Sequence, residues 1–524
     1  MGMGRIQKTG KNIVFGYLSN VVILLVNFIK RTVFIYVLGR TLLGVNGVYT
    51  DVLSVLSLTE LGIGTALNYS LYKPVAEGNR EKIKSYMRFY KRAYLTIAGV
   101  IAVVGIAITP FLKYILKNPG SLTMEELILY YYLFLFNTVI TYFVSYKYSL
   151  VNAEQKNYIQ TNITMLTRMA VAFVQIVVLL LTRNFLFYLL AQSAVELLQK
   201  IFVTIYLNRL YPYLREKDVA PLSGQETQVV ATKTKALICH KVGDVARSQT
   251  DKLIISSFIS VDTSAVVDNY TYIVTYVGNF VNIIFDSAIA GFGNVVATES
   301  KEKQYSLFRV YRFFACWLFG FGAVGFYHLI TPFIGDIWLR RGEGWTLSQI
   351  TVALLVMEFY LKGCRIVLLN FKIAAGLFEQ DRYLPLVQGA VNLILSIVLV
   401  RHIGVTGVYV GTLVSGLLAN LIRPGIIYRV CFGKTAGEYF RDGLKYIAVI
   451  LLAGGIVTPI RHALMAETTI FSFALMVVLI TVLYNLLFLL AFCRTQEFLY
   501  LWNAVIAKLP ALRKFLGRGG SREE

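Results

Sequence analysis

Cysteine and histidine are scarce, and their scarcity excludes several chemistries. The chain has 5 Cys and 4 His in 524 residues. Cys239, Cys316, Cys364, Cys431 and Cys493 fall singly in or beside hydrophobic runs, without metal-ligand spacing, so they are expected to be small buried hydrophobes. No metal and no cofactor is expected. There is no Walker loop and no Gly-x-Ser-x-Gly elbow, and the short loops leave no room for a nucleotide-binding domain. An enzyme or an ATP-driven pump is therefore not expected.

Charge is also in short supply. Charged residues make up 15% of the chain and apolar residues 56%, against about 25% and about 45 to 50% in soluble domains. That balance indicates an all-α polytopic membrane protein. Runs long enough to cross a bilayer, about 20 residues each, occur about 14 times between positions 12 and 493. The basic start at Arg5, Lys8 and Lys11 leads into a span too long for a signal core, so no cleaved leader is expected.

The net charge of +22 would suit nucleic acid, but most of the 51 Lys and Arg lie in alternate loops. This positive-inside bias predicts both termini in the cytoplasm. Anionic membrane lipids account for the basic loops without a nucleic-acid partner. A basic tail, 496–524, carries Trp502, Lys508, Arg513, Lys514 and Arg518. It suits either an amphipathic helix on the inner leaflet or a solvated tail.

The sequence repeats itself. Lys147, Glu154, Gln155 and Tyr158 return 225 residues later as Lys372, Glu379, Gln380 and Tyr383. Glu81, Lys82, Ser85, Arg88 and Tyr90 return 221 residues later as Glu302, Lys303, Ser306, Arg309 and Tyr311, and Ile108-Thr109-Pro110-Phe111 returns as Ile330-Thr331-Pro332-Phe333. Collinear matches at nearly one offset predict two six-helix lobes, 12–208 and 236–430, joined by a cytoplasmic linker at 209–235. Six is even, so the lobes are expected to be related by a pseudo-twofold axis along the membrane normal, with a cavity between them. Spans 13 and 14, at 441–495, have no counterpart and read as an appended pair.

Charges inside spans mark candidate sites, because each costs about 2.5 to 3.5 kcal/mol at the bilayer centre unless it meets water or a partner. Span 7 places His240, Asp244, Arg247 and Asp251 on one helical stripe, with Lys241, Ser248 and Lys252 beside it. The stripe either lines an aqueous cavity or neutralises itself through Arg247. Span 10 carries Glu358, Lys362 and Arg365; the i, i+4 spacing predicts a Glu358–Lys362 pair and leaves Arg365 the unpaired cation. Span 1 offers Lys30 and Arg31, facing the cavity or snorkelling to an interface. At the repeat offset of 221, Arg31 falls on Lys252, which would place one cation per lobe. Lys30, Arg31, Arg247, Lys252, Lys362 and Arg365 are thus the candidate anion-binding residues. Asp51, Asp244, Asp251, Asp286 and Glu358 are candidates for coupling a proton or cation, and Glu60 shares span 2 with Asp51. Arg168 in span 5, and Glu196 with Lys200 at i, i+4 in span 6, read as structural pairs.

Two stretches carry a family resemblance. One runs from Leu42-Leu43-Gly44 to Leu71-Tyr72-Lys73-Pro74 with Glu60-Leu61-Gly62-Ile63-Gly64 inside it; the other is Gly376-Leu377-Phe378-Glu379-Gln380-Asp381-Arg382-Tyr383 followed by Asn392-Leu393-Ile394-Leu395-Ser396. They resemble the bacterial polysaccharide transporters of the multidrug/oligosaccharidyl-lipid/polysaccharide exporter superfamily. The resemblance implies a flippase in the bacterial cytoplasmic membrane that moves undecaprenyl-pyrophosphate-linked oligosaccharide to the outer leaflet. It adds a polysaccharide polymerase and glycosyltransferases as candidate partners and a tail groove beside spans 13 and 14; a monomer suffices. A lipid II flippase, a multidrug antiporter and a membrane glycosyltransferase or ligase remain as alternatives.

Overall fold

The computed structural model describes residues 3–57, 63–216, 219–228, 230, 242–243, 245–247, 249–340, 344–377 and 379–508. Glu60, His240, Lys241, Asp244, Ser248 and the tail beyond Lys508 lie outside them. The described residues form helices joined by short turns, with no strand among them. Ten helical runs among them are long and apolar enough to cross a membrane, as the low charge content and the hydrophobic runs require. The protein is an all-α polytopic membrane protein.

Several of the expected spans are fused or broken, for local reasons. Helix α1, Met3–Leu56, carries span 1 and the first part of span 2 through a kink at Gly39 (φ 82°), a left-handed conformation that glycine adopts without a Cβ penalty. Helix α2, Ile63–Ala76, carries the rest of span 2. Then come α3 (Arg80–Ile108), α4 (Met124–Ala153), α5 (Asn157–Thr182) and α6 (Phe185–Leu210). Helix α4 starts in a capping box between Thr123 and Glu126, and α6 is capped by Asn184. The end of span 7 is α7, Asp251–Phe258; span 8 becomes α8 (Val261–Asp286) and α9 (Ile289–Thr298). Span 9 is α10, Lys301–Pro332. Span 10 breaks at Arg365 into α11 (Gln349–Cys364) and α12 (Ile366–Ala374). Spans 11 and 12 are one run, α13 (Leu384–Ile427), kinked at Ile403 and Gly404. The appended spans are α14 (Gly437–Leu464) and α15 (Ile470–Phe492), followed by α16, Gln496–Lys508.

The chain forms two compact units: 1–268 with 385–408, and 269–384 with 409–524. In the first unit an aromatic core locks α1 to α4 and α6. Phe34 meets Phe185 and Tyr188 edge-on at 5.7 and 5.1 Å, and the Tyr49 hydroxyl donates to the Leu127 carbonyl at 2.7 Å. The linker docks on α3. Lys82 pairs with Glu226 at 2.5 Å, Lys84 with Glu216 at 2.6 Å, and Arg88 donates to the Val219 carbonyl at 2.8 Å.

In the second unit α14 and α15 pack against α10. Trp317 stacks on Phe488 at 5.1 Å and donates through its indole N–H to Asn485 at 2.9 Å, while the Arg312 guanidinium lies 3.6 Å from the Tyr439 ring centroid. The first turn of α16 is tied to α10 by Arg309–Glu497 at 2.5 Å. The backbone of Gly363 in α11 lies against the Phe319 ring of α10, where any side chain would collide.

The repeated Lys is buried in both halves but has different partners. Lys147 donates to Asn208 at 2.8 Å. Lys372 donates to Asp381, which also pairs with Arg423 at 2.9 Å. Asp381 lies in the turn between α12 and α13. Burial alone would push its carboxyl up, but the hydrogen bonds from Lys372 and Arg423 outweigh burial and hold it below the usual carboxylate range. A depressed folded value stabilises fully above the unfolded value, about 3.9, and that contribution is lost as pH falls through the folded value. We therefore expect thermal stability in detergent to fall on acidification below about pH 4. In Asp381→Asn this part of the acid slope should vanish, with a lower melting temperature already at neutral pH.

Candidate functional site

Helix faces bring the intramembrane charges of the first unit into two clusters. The first cluster is balanced. Arg31 of α1 and Lys252 of α7, the pair matched by the repeat offset, converge on the Asp268 carboxylate of α8 at 2.8 and 2.9 Å. Lys252 also reaches Asp51 of α1 at 3.2 Å. Asp251 faces the other way and accepts from Asn392 of α13 at 3.2 Å, and the same amide donates to the Arg247 carbonyl at 3.0 Å. Two cations and two carboxylates balance in charge here and tie α1, α7 and α8 together, with Asp51 Oδ2 buried and without a hydrogen-bond partner among the described residues. The cluster continues as a seam. Arg40 and Thr41 both donate to Asp262 at 2.7 Å, Lys117 donates to the Phe258 carbonyl at 2.9 Å, and Gly44 packs directly against the Val261 carbonyl.

The second cluster is unbalanced. A cavity of about 300 Å³ is lined by Lys30 of α1, Arg168 of α5, and Gln192, Glu196 and Lys200 of α6. Each helix supplies one face: Thr164, Thr167, Arg168 and Val171 from α5 follow the i, i+3, i+4, i+7 pattern, and Gln192, Glu196, Gln199 and Lys200 from α6 follow i, i+4, i+7, i+8. Arg168 and Glu196 each stand 11 residues into helices of 26, which places both near mid-membrane at 1.5 Å per residue.

Lys30, Arg168 and Lys200 make no ion pair within 4.0 Å among the described residues. The i, i+4 spacing of Glu196 and Lys200 predicts a structural pair, but the structure does not form it. Glu196 instead accepts from Gln192 Nε2 at 2.9 Å, and Gln192 in turn accepts from the buried Gln175 at 3.0 Å. The cavity thus holds three cations without a direct ion pair among the described residues and one carboxylate, Glu196, that is hydrogen-bonded to an amide.

The remaining expected residues divide differently. In the second unit Arg365 is not an unpaired cation: it is 2% exposed, donates to the Gly416 carbonyl at 2.7 Å and lies 3.4 Å from Glu358. Arg365 has near-helical dihedrals and shares one helix face with Glu358, seven residues before it, so its long side chain reaches back to that carboxylate. Lys362 is exposed on α11, and Asp286 ends α8 exposed. Arg168, Glu196 and Lys200 join Lys30 as site residues only in three dimensions. Their sequence signal is the polar i, i+4, i+7 face on both α5 and α6.

No protein-family model and no curated protein matches this sequence. Solved structures do share the fold. The lipid II flippase MurJ in its inward closed conformation aligns with TM-score 0.65 at 12% identity, over 91% of this chain and 98% of that one. A multidrug resistance MATE family transporter of the MOP superfamily, inward-facing, aligns with TM-score 0.59 at 13% identity, over 78% and 96%. The Vibrio cholerae MATE transporter VcmN in its bent form gives 0.50 at 14%, over 80% and 95%. The chain shares its fold with these transporters.

Proposed function

We propose that the protein is a flippase that moves an undecaprenyl-diphosphate-linked oligosaccharide, a surface or capsular polysaccharide unit, from the inner to the outer leaflet of the bacterial cytoplasmic membrane. The observation that carries this reading is the cavity in which three cations, Lys30, Arg168 and Lys200, outnumber one carboxylate, Glu196. A cation facing hydrocarbon is costly, so Lys30, Arg168 and Lys200 require water and an anion. A diphosphate supplies several acceptor oxygens, and the Arg fork binds two of them with charge-assisted hydrogen bonds. No bond is made or broken. The headgroup crosses along the polar cavity while the polyprenyl tail stays in lipid.

A cationic drug would require unpaired carboxylates, the reverse of this cavity. Lipid II is a second reading, favoured by the 91% coverage in the MurJ alignment; its polyprenyl diphosphate would satisfy the same cations. Deleting the gene and identifying the lipid-linked intermediate that accumulates on the inner leaflet tests the choice. A sugar repeat unit on the polyprenyl diphosphate is expected; lipid II would favour the second reading, and no accumulating lipid would contradict both.

A further inference from the structure

Glu196 stands one helical turn before Lys200, the orientation in which a Glu to Lys pair at i, i+4 is most favourable. Yet the pair is open. The Gln192 amide is oriented by Gln175, whose Nε2 donates to Gln192 Oε1 at 3.0 Å, so that Gln192 Nε2 points at Glu196 Oε1, 2.9 Å away. Gln175 is buried, and its Nε2 supplies the donor at the base of the relay. Glu196 rests on Gln192 rather than in contact with a cation, and Lys200 makes no ion pair within 4.0 Å among the described residues in the cavity it shares with Lys30 and Arg168.

Two arrangements therefore compete for one lysine. With an anion in the cavity, Lys200 is satisfied from outside and Glu196 rests on Gln192. Without it the open and the paired arrangements are both accessible, because rotation of Glu196 onto Lys200 needs no movement of the backbone.

We propose that Glu196 is a built-in counter-ion that competes with the cargo's phosphates for Lys200, and so sets how tightly the cavity holds a diphosphate and how readily it releases it. The Gln175–Gln192 relay is the element that keeps the cavity open to the anion. This proposal rests on the transport reading for its purpose, but its binding test does not.

The experiment uses full-length protein in detergent, with inorganic pyrophosphate as probe and calorimetric titration as readout. Glu196→Gln removes the competitor and should tighten pyrophosphate binding about tenfold, or about 1.4 kcal/mol. Gln192→Met releases Glu196 toward Lys200 and should weaken binding by a similar factor. In proteoliposomes Glu196→Gln should lower KM and kcat together, because release slows. A purely structural role for the two residues predicts losses in both variants; shifts in the same direction, or no shift, overturn the proposal. Absence of pyrophosphate binding by the wild-type protein overturns it as well. If the two variants shift oppositely while wild-type protein moves no diphosphate lipid, the counter-ion stands and the transport reading fails. If lipid moves but the variants shift alike, the counter-ion alone fails.

Discussion

Replacing Lys30, Arg168 and Lys200 together by Gln should lower transport of a diphosphate lipid by at least about 100-fold and leave the melting temperature of the purified protein unchanged or higher. The transport loss follows from charge-assisted hydrogen bonds, about 1.5 to 3 kcal/mol each, or roughly tenfold or more per cation. Neighbouring cations on one ligand do not add independently, so the triple variant should fall short of the product of the singles. The stability expectation has the opposite sign because none of the three makes an ion pair in the described structure, and neutral Gln removes a burden that the membrane places on a bare charge. Arg168→Lys should keep part of the activity, since the charge survives and the bidentate fork is lost. Flipping in proteoliposomes and thermal melting in detergent measure the two effects. Loss of both together would mean that the cations support the fold.

Arg365→Ala should do the reverse and cost the fold first. Its guanidinium is buried between the Gly416 carbonyl and Glu358. Truncation strands a carboxylate and a carbonyl where water is scarce, and breaking a buried pair costs about 3 to 5 kcal/mol. Folded protein recovered from membranes should drop several-fold, with a lower melting temperature in what remains. Adding Glu358→Gln to Arg365→Met removes the stranded charge and should restore much of the loss. A normal melting temperature in Arg365→Ala, with transport abolished, would return this residue to the binding machinery.

The contrast between these two arginines shows what the sequence made legible. Hydropathy and the scarcity of charge located the helices, whereas the repeat of Lys147 as Lys372 marks a duplication and leaves the burial of both lysines to the structure. Charge partners were not legible. Arg31 finds Asp268 across 237 residues, and no local spacing encodes that contact. Glu196 and Lys200 have the spacing of a satisfied pair, so they look inert along the chain; only the Gln175–Gln192 relay on two helices reveals that they are apart. Arg365 looks unpaired because Lys362 stands nearer Glu358 along the helix, yet the longer guanidinium side chain reaches that carboxylate two turns back. Lys30 was legible only as a charge inside span 1, and nothing along the chain separates it from Arg31, which the fold pairs with Asp268.

The central claim is that the cation-rich cavity carries a diphosphate headgroup across the membrane. The most direct measurement follows leaflet exchange in proteoliposomes of a short-chain polyprenyl lipid whose saccharide is attached through a diphosphate, beside a matched lipid with an uncharged linkage. The account predicts that wild-type protein accelerates exchange of the diphosphate lipid only, and that the triple Gln variant abolishes the difference. Equal acceleration of both lipids, or an undiminished preference for the diphosphate in the triple variant, would contradict it.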